Sequence, residues 1–278
     1  MGRLWGVDGA WLESEGDKVD ELVRDLFWEE AAQDAMDMGD GGECPYGTDE
    51  VMEWVRDALS VTKNNSGAGP DGVGHRLIKV IRDTRLGNEL LGEGVSALRG
   101  GYIPDRWRDM RVVLIPNPGR NLTHTKNWRP LNLINCMGKL GEKVVADRIQ
   151  EEGSSILHHQ QYGSVRGRSA MNVLYKSEVK SRQCLENGGS VGWAFWDVKG
   201  GFQNVRSAEV LNRIGGCGPL RCWLSWLERF MSPRDFEVAW EGSVRGRGAA
   251  AKGVPQGCPF FPVLFLVYMA PVLEEKEC

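Results

Sequence analysis

Clusters of glycine and proline punctuate this chain and limit how far any regular element can run. They fall at Ser66-Gly67-Ala68-Gly69-Pro70-Asp71-Gly72, Gly100-Gly101, Pro116 and Pro118, Gly188-Gly189, and Gly253-Val254-Pro255-Gln256-Gly257. Glycine permits positive φ and close backbone approach, and proline ends helices and central strands. With 36 glycines in 278 residues, many turns and close backbone contacts are expected between short elements. Hydrophobic residues make up 41% of the chain, enough for a core, so disorder of the whole chain is excluded. No internal repeat or long low-complexity tract is present.

Between the turns, apolar spacing suggests the elements. One or two acidic helices are expected over 10–38, followed by a linker to Gly47. Thr48 is the expected cap of a helix carrying Val51, Trp54, Val55, Ala58 and Leu59 on one face. Helices are expected near 75–83 and 87–99, over 138–151 and 169–186, and over 207–214 and 220–231. Residues 111–115 read as a strand by β-branched content, and 116–130 as a loop. Val191 to Val198 reads as a strand buried on both faces. Phe236 to Trp240 and Val244 to Ala250 read as a hairpin. The apolar run from Pro262 to Leu273 is well short of the ~18 residues needed to span a bilayer, so it is expected to be buried.

Charge is distributed unevenly. The net charge of −4 argues against a phosphate-rich partner, but residues 1–60 carry four Lys and Arg against 17 Asp and Glu. That is −13, which leaves +9 on the rest, an acidic segment joined to a basic body. The seven cysteines form no C-x-x-C pair, and the four histidines, His158-His159 among them, fall at no zinc spacing. Free thiols in a reducing intracellular compartment, nucleus or cytoplasm, are expected. The first ten residues lack a signal-peptide pattern.

Three signals carry chemistry. In Phe195-Trp196-Asp197-Val198-Lys199-Gly200-Gly201-Phe202 a carboxylate ends an apolar strand, where charge is costly unless paired or metal-bound. A helix cap or ion pair is the plain alternative. In Gly253-Val254-Pro255-Gln256-Gly257 two glycines let backbone approach a flat ligand, and a helix-entry turn is the alternative. Arg106, Arg108, Arg111, Arg120, Lys126 and Arg129 are interleaved with Tyr102, Trp107, His124 and Trp128. Such a mixture suits phosphates and stacked bases, or a solvated surface. Arg166-Gly167-Arg168 and Arg245-Gly246-Arg247 add two basic turns.

Taken in order, these motifs resemble the reverse transcriptase domain of LINE-type (non-LTR) retrotransposons, from about Val51 to Leu273. The resemblance is carried by Gly69-Pro70-Asp71-Gly72, by Val113 to Arg120, and by Trp128-Arg129-Pro130-Leu131-Asn132-Leu133 with Gly138 to Lys143. It continues through Gln161-Tyr162-Gly163 to Ser169, the Asp197 segment and Gly253 to Gly257. It implies an α+β right-hand polymerase with mostly helical fingers and a partial palm, an incomplete antiparallel sheet packed on helices. The implied division is an acidic N-terminal segment and linker (1–47), fingers (48–190) and partial palm (191–278), with the thumb absent. The implied reaction is RNA-templated addition of deoxynucleotides to a DNA 3′ end by two-metal catalysis. RNA template, DNA primer and deoxynucleoside triphosphates would be the partners, with no membrane.

The resemblance makes Asp197 the catalytic carboxylate, which with the Val198 carbonyl would hold Mg²⁺. Phe202, Arg129, Gln256 and Gly257 would face the nucleotide, and Arg120, Lys126, Arg166 and Arg168 the nucleic acid. The sequence departs from the family pattern at Gln203, Asn117, Cys258, Phe260-Phe261 and Ala68, and it has no adjacent Asp-Asp before Cys278. Asp197 alone cannot hold two metals, so the expectation is a truncated, inactive polymerase domain. A non-catalytic RNA- or DNA-binding remnant of a transposable element is the alternative.

Overall fold

A computed structural model describes residues 4–5, 11–12, 14–27, 42–198, 201, 205–240, 243–250 and 257–274. In chain order the first elements are β1 (Leu4–Trp5), β2 (Trp11–Leu12), α1 (Glu15–Phe27), α2 (Thr48–Val61), α3 (His75–Ile81), α4 (Arg85–Arg99) and the single turn α5 (Asp105–Arg108). They are followed by β3 (Met110–Pro116), β4 (Trp128–Ile134), α6 (Cys136–Glu152) and α7 (Ala170–Glu186). The last are α8 (Ser207–Gly215), α9 (Leu224–Met231), β5 (Arg234–Trp240), β6 (Ser243–Ala250) and α10 (Phe261–Glu274). None of the described helices is long and apolar enough to cross a membrane.

The helical spacing of Val51, Val55, Ala58 and Leu59 produces the buried stripe of α2. Gly47, not Thr48, is its N-cap, and the Thr48 hydroxyl instead accepts a 2.7 Å hydrogen bond from Arg99 Nη1. The side chain of Thr84 caps α4 by accepting from Gly87 N. That helix stops at Gly100 and Gly101, the latter at φ 65°. Both α2 and α4 pack on α6, which carries glycines where neighbours press hardest. A Cβ on Gly141 would lie 3.1 Å from the Trp226 ring, and one on Gly138 would strike the Trp107 carbonyl. The core continues through Trp226, Phe230 and Phe260, whose ring centroids lie 5.3 to 6.1 Å apart. The helix α10 is buried along most of its length, as its apolar composition requires.

The main sheet is mixed, in the order β4-β3-β5-β6. Antiparallel pairing sets Val112 opposite Asn132, and parallel pairing sets Val112 opposite Val238. The expected hairpin forms as β5 and β6, with a register shift at Val238/Ala239.

The sheet, expected to be antiparallel, is mixed, because β3 and β5 run parallel, and three further expectations are corrected. Residues 128–130, read as the end of a loop, begin β4 (128–134), because β3 offers that segment a full-length partner. Trp11 and Leu12, read as helical, pair with β1 instead. Residues 191–198, read as a strand buried on both faces, are exposed and pair with no described strand. Phe195 and Trp196 are 90% and 88% exposed. Their composition favours an extended backbone, but the body supplies no partner strand or covering layer among the described residues.

Candidate nucleotide and nucleic-acid site

The site is built on β4. Its alternation buries Trp128, Pro130, Asn132 and Ile134 and turns Arg129, Leu131 and Leu133 the other way. Arg129 is exposed. The glycine-rich motifs converge on this strand. Gly257 takes φ 102°, a conformation side chains rarely adopt, and is closely packed: a Cβ there would lie 3.1 Å from Leu131 Cδ1 and 3.4 Å from the Asn132 carbonyl oxygen. A Cβ on Gly67 would lie 2.9 Å from Leu133 Cδ2, and one on Gly69 only 2.5 Å from Asn135 N. Turns nearly 200 residues apart in sequence therefore seat along β4 and the Asn135 cap that follows it. Arg129 lies two residues, about 7 Å, from the Leu131 position that receives Gly257.

The loop before β4 is tied down by its own polar groups. Asn117 N donates to Asn127 O at 2.8 Å, Trp128 Nε1 to Leu122 O at 3.1 Å, and Arg120 N to Asn117 O at 3.2 Å. Gly119 takes φ 70°, and the turn holds Arg120 out in solvent. Lys126 lies in a short 3-10 turn, Thr125–Asn127.

On the other side, α6 clamps both glycine-rich turns from one face. Lys139 Nζ donates to Gly67 O at 2.7 Å. Glu142, three residues on, is 1% exposed and reached by the Cys258 thiol. Burial pushes the Glu142 carboxyl up to about 7 despite the opposing pull of Arg234. The same burial, with Glu142 alongside, pushes the Cys258 thiol well up. Arg234, also buried, lies over the Phe230 ring at 4.6 Å and donates to the Phe230 carbonyl. Nearby, Ser66 Oγ and His75 Nδ1 lie 2.6 Å apart. Burial, with Lys139 and Lys79, pushes His75 down to about 4, so its ring is neutral at pH 7.

Arg168 turns onto its own loop, and the exposed Arg166 reaches back to α6. Arg168 Nη1 donates to the carbonyls of His158, His159 and Gln161 at 3.1, 3.0 and 2.9 Å, and Arg166 pairs with Glu151. Gln161 then ties this loop to α10 by donating to Leu266 O at 2.8 Å.

Asp197 and Val198 lie in the exposed segment, which ends in a turn where Gly201 N donates to Val198 O at 3.4 Å. Gly201 seats on Phe265 of α10, with a Cβ position 3.1 Å from that ring. Phe202 and Gln256 lie outside the described residues, as does the Lys126 side chain. Among the described residues no three His, Cys, Asp or Glu stand close enough to hold a metal ion.

Sequence reasoning missed the roles of β4 and of the Glu142–Arg234–Cys258 cluster. The period-two alternation at 128–134 was the available signal for β4, obscured by Pro130 and Asn132, which are unusual inside strands. Nothing local marks Glu142, because its partners lie about 90 and 116 residues away in sequence.

The family described as reverse transcriptase (RNA-dependent DNA polymerase) matches residues 115–277. The chain is 24% identical over 235 residues to the RNA-directed DNA polymerase from mobile element jockey of Drosophila melanogaster, covering 82% of this chain and 25% of that protein. It is 26% identical over 277 residues to the putative 115 kDa protein in type-1 retrotransposable element R1DM of the same species, covering 98% and 26%. It is 27% identical over 216 residues to the Retrovirus-related Pol polyprotein from type-1 retrotransposable element R2 of Popillia japonica, covering 77% and 28%. The chain thus spans about a quarter of the length of these relatives.

Proposed function

The chain belongs to the reverse transcriptase (RNA-dependent DNA polymerase) family, and on that premise we propose that it is the fingers and part of the palm of a non-LTR retrotransposon polymerase. The reaction it serves is addition of deoxynucleotides to a DNA 3′ end on an RNA template. The observation that supports this most is the seating of the Gly257 turn on β4 beside exposed Arg129. This places a planar, permanently charged donor next to a surface kept flat by glycine, suited to a triphosphate and the base pair it joins.

Arg129 neutralises phosphate, the turn at Gln256 and Gly257 supports the nucleotide, and Phe202 bears on its sugar. Arg120 and Lys126 track the template backbone. Asp197, with the Val198 carbonyl, is the expected contribution to a divalent cation site of the kind this family uses. The described residues do not by themselves fit a two-cation site, so what they do here is bind and position.

The test is fluorescence anisotropy with an RNA–DNA template–primer. With about four phosphates neutralised, raising salt from 50 to 200 mM is expected to weaken binding ~100-fold. A complementary deoxynucleoside triphosphate is expected to tighten the complex, and Arg129→Ala to abolish that tightening. No binding at low salt overturns the proposal. Binding that ignores the triphosphate favours the second reading, a non-catalytic nucleic-acid-binding remnant. No template-dependent extension by this chain is expected with Mg²⁺.

A further inference from the structure

The turn at Gly257 has no side chain of its own by which the body can hold it, and glycine loses more freedom on being fixed than any other residue. The first handle after it is Cys258, which is buried. The Cys258 thiol meets two elements. The Phe261 N–H, where α10 begins, donates to the sulfur, and the thiol donates to the Glu142 carboxyl of α6. Arg234, the first residue of β5, supplies the opposing charge to both groups and is itself fixed by the ring and carbonyl of Phe230.

We propose, on the reading that this turn supports a triphosphate, that Glu142 is a positioning residue for the nucleotide: through the Cys258 thiol it holds the Gly257 turn against β4, beside Arg129. Leu131 and the Asn132 carbonyl stop the turn from moving inward, at 3.1 and 3.4 Å from the Cβ position of Gly257. Those contacts do not stop it from lifting away. A hydrogen bond from the next residue to an immobile helix does. The helix α6 is such an anchor, because its Gly138 and Gly141 lie tight against Trp107 and Trp226. Lys139, three residues before Glu142, holds the other glycine-rich turn by the Gly67 carbonyl at 2.7 Å. One helix therefore fixes both turns relative to β4.

Glu142 gains little stability for itself from this place. Its Oε2 has no hydrogen-bond partner among the described residues, and a buried polar atom left unmet is a cost to folding. The same burial keeps water from competing for the bond that the thiol makes.

Anisotropy of a labelled RNA–DNA template–primer on the full chain, titrated with the complementary deoxynucleoside triphosphate, tests this. Cys258→Ala is expected to raise the triphosphate concentration for half-maximal tightening about 10-fold, the size of one hydrogen bond. Cys258→Val, which fills the space of the thiol without donating, should do the same, so that a cavity is not the cause. Cys258→Ser, whose hydroxyl both donates and accepts, is expected to stay within ~3-fold of wild type. Glu142→Gln is expected to raise that concentration about 3-fold by itself and to add nothing to Cys258→Ala, because it acts only through that thiol. Serine behaving worse than alanine overturns the proposal, since a turn held by packing alone tolerates a methyl better than a buried hydroxyl. Additive loss in the double variant overturns it too. Tightening that persists unchanged in every variant removes the role of Glu142 alone, whereas a wild-type chain that ignores the triphosphate removes the nucleotide site and that role with it.

Discussion

Residues 128–134 and 191–198 make an instructive pair. The first contains a proline, an asparagine and an arginine and reads poorly as a strand, yet it pairs along its whole length with β3. The second reads as a better strand in every local respect, yet it lies open to solvent. A strand belongs to a pair of segments, and its hydrogen bonds and half of its burial come from the partner. Around β4 the partners are present, and polar groups such as Glu142 and Arg234 can be buried because they face one another. Around 191–198 the described residues supply no partner, so apolar side chains stay wet.

The contrast can be broken first at its buried pole. Above pH 7, where the Glu142 carboxyl is ionised, Glu142→Ala leaves a cavity and the Arg234 guanidinium buried without a counter-charge, and is expected to cost about 3–5 kcal/mol in urea denaturation. Glu142→Gln, which loses the charge but leaves no cavity and still offers the Cys258 thiol an acceptor, should cost less.

A pH titration sharpens the same point. Because the folded Glu142 carboxyl sits near 7 against a reference value of 4.5, the native state holds a proton there that the unfolded state has lost. Glu142 therefore favours folding below about 4.5, and that contribution is lost as pH rises toward 7, ~3 kcal/mol in all. His75 works in the opposite sense. With its folded value depressed to about 4, its contribution is present above the unfolded value of 6.5 and lost as pH falls toward 4. The two oppose each other between about 4.5 and 6.5. The difference between wild type and Glu142→Gln isolates the Glu142 slope, and a pH-independent difference would contradict the burial assigned to it.

Gly257→Ala tests the seat on β4. An alanine at φ 102° with Leu131 at 3.1 Å is expected to cost about 1–3 kcal/mol in thermal denaturation. It should also weaken triphosphate-dependent binding of template–primer. At the exposed pole, Tyr175→Ser is expected to change stability by less than ~0.5 kcal/mol. A larger loss would mean that α7 is packed in solution.

Much of the helical layer could be read in advance. The faces of α2 and α4, the stops at Gly100 and Gly101, the hairpin β5–β6 and the burial of α10 follow from local periodicity and glycine conformation, which need only neighbours within a few residues. The glycine turns could also be recognised, but not what they touch. Gly67 and Gly257 share β4 and Gly69 meets Asn135 just beyond it, and no local pattern announces that meeting. Arg168 reads as a phosphate ligand from its basic turn, and in the fold it holds three backbone carbonyls of its own loop.

By itself, then, the sequence determined the kinds of element, the stations where the chain turns, the division into an acidic start and a basic body, and the order of motifs by which the family is recognised. Those are properties of residue type and spacing, and they survive without any knowledge of contacts. The tertiary structure alone decided that β4 exists and gathers the turns, that Glu142 lies buried against Arg234 and Cys258, and that 191–198 is left uncovered. Each of these depends on which distant segment supplies a hydrogen bond, a counter-charge or a covering layer. No local propensity encodes that supply.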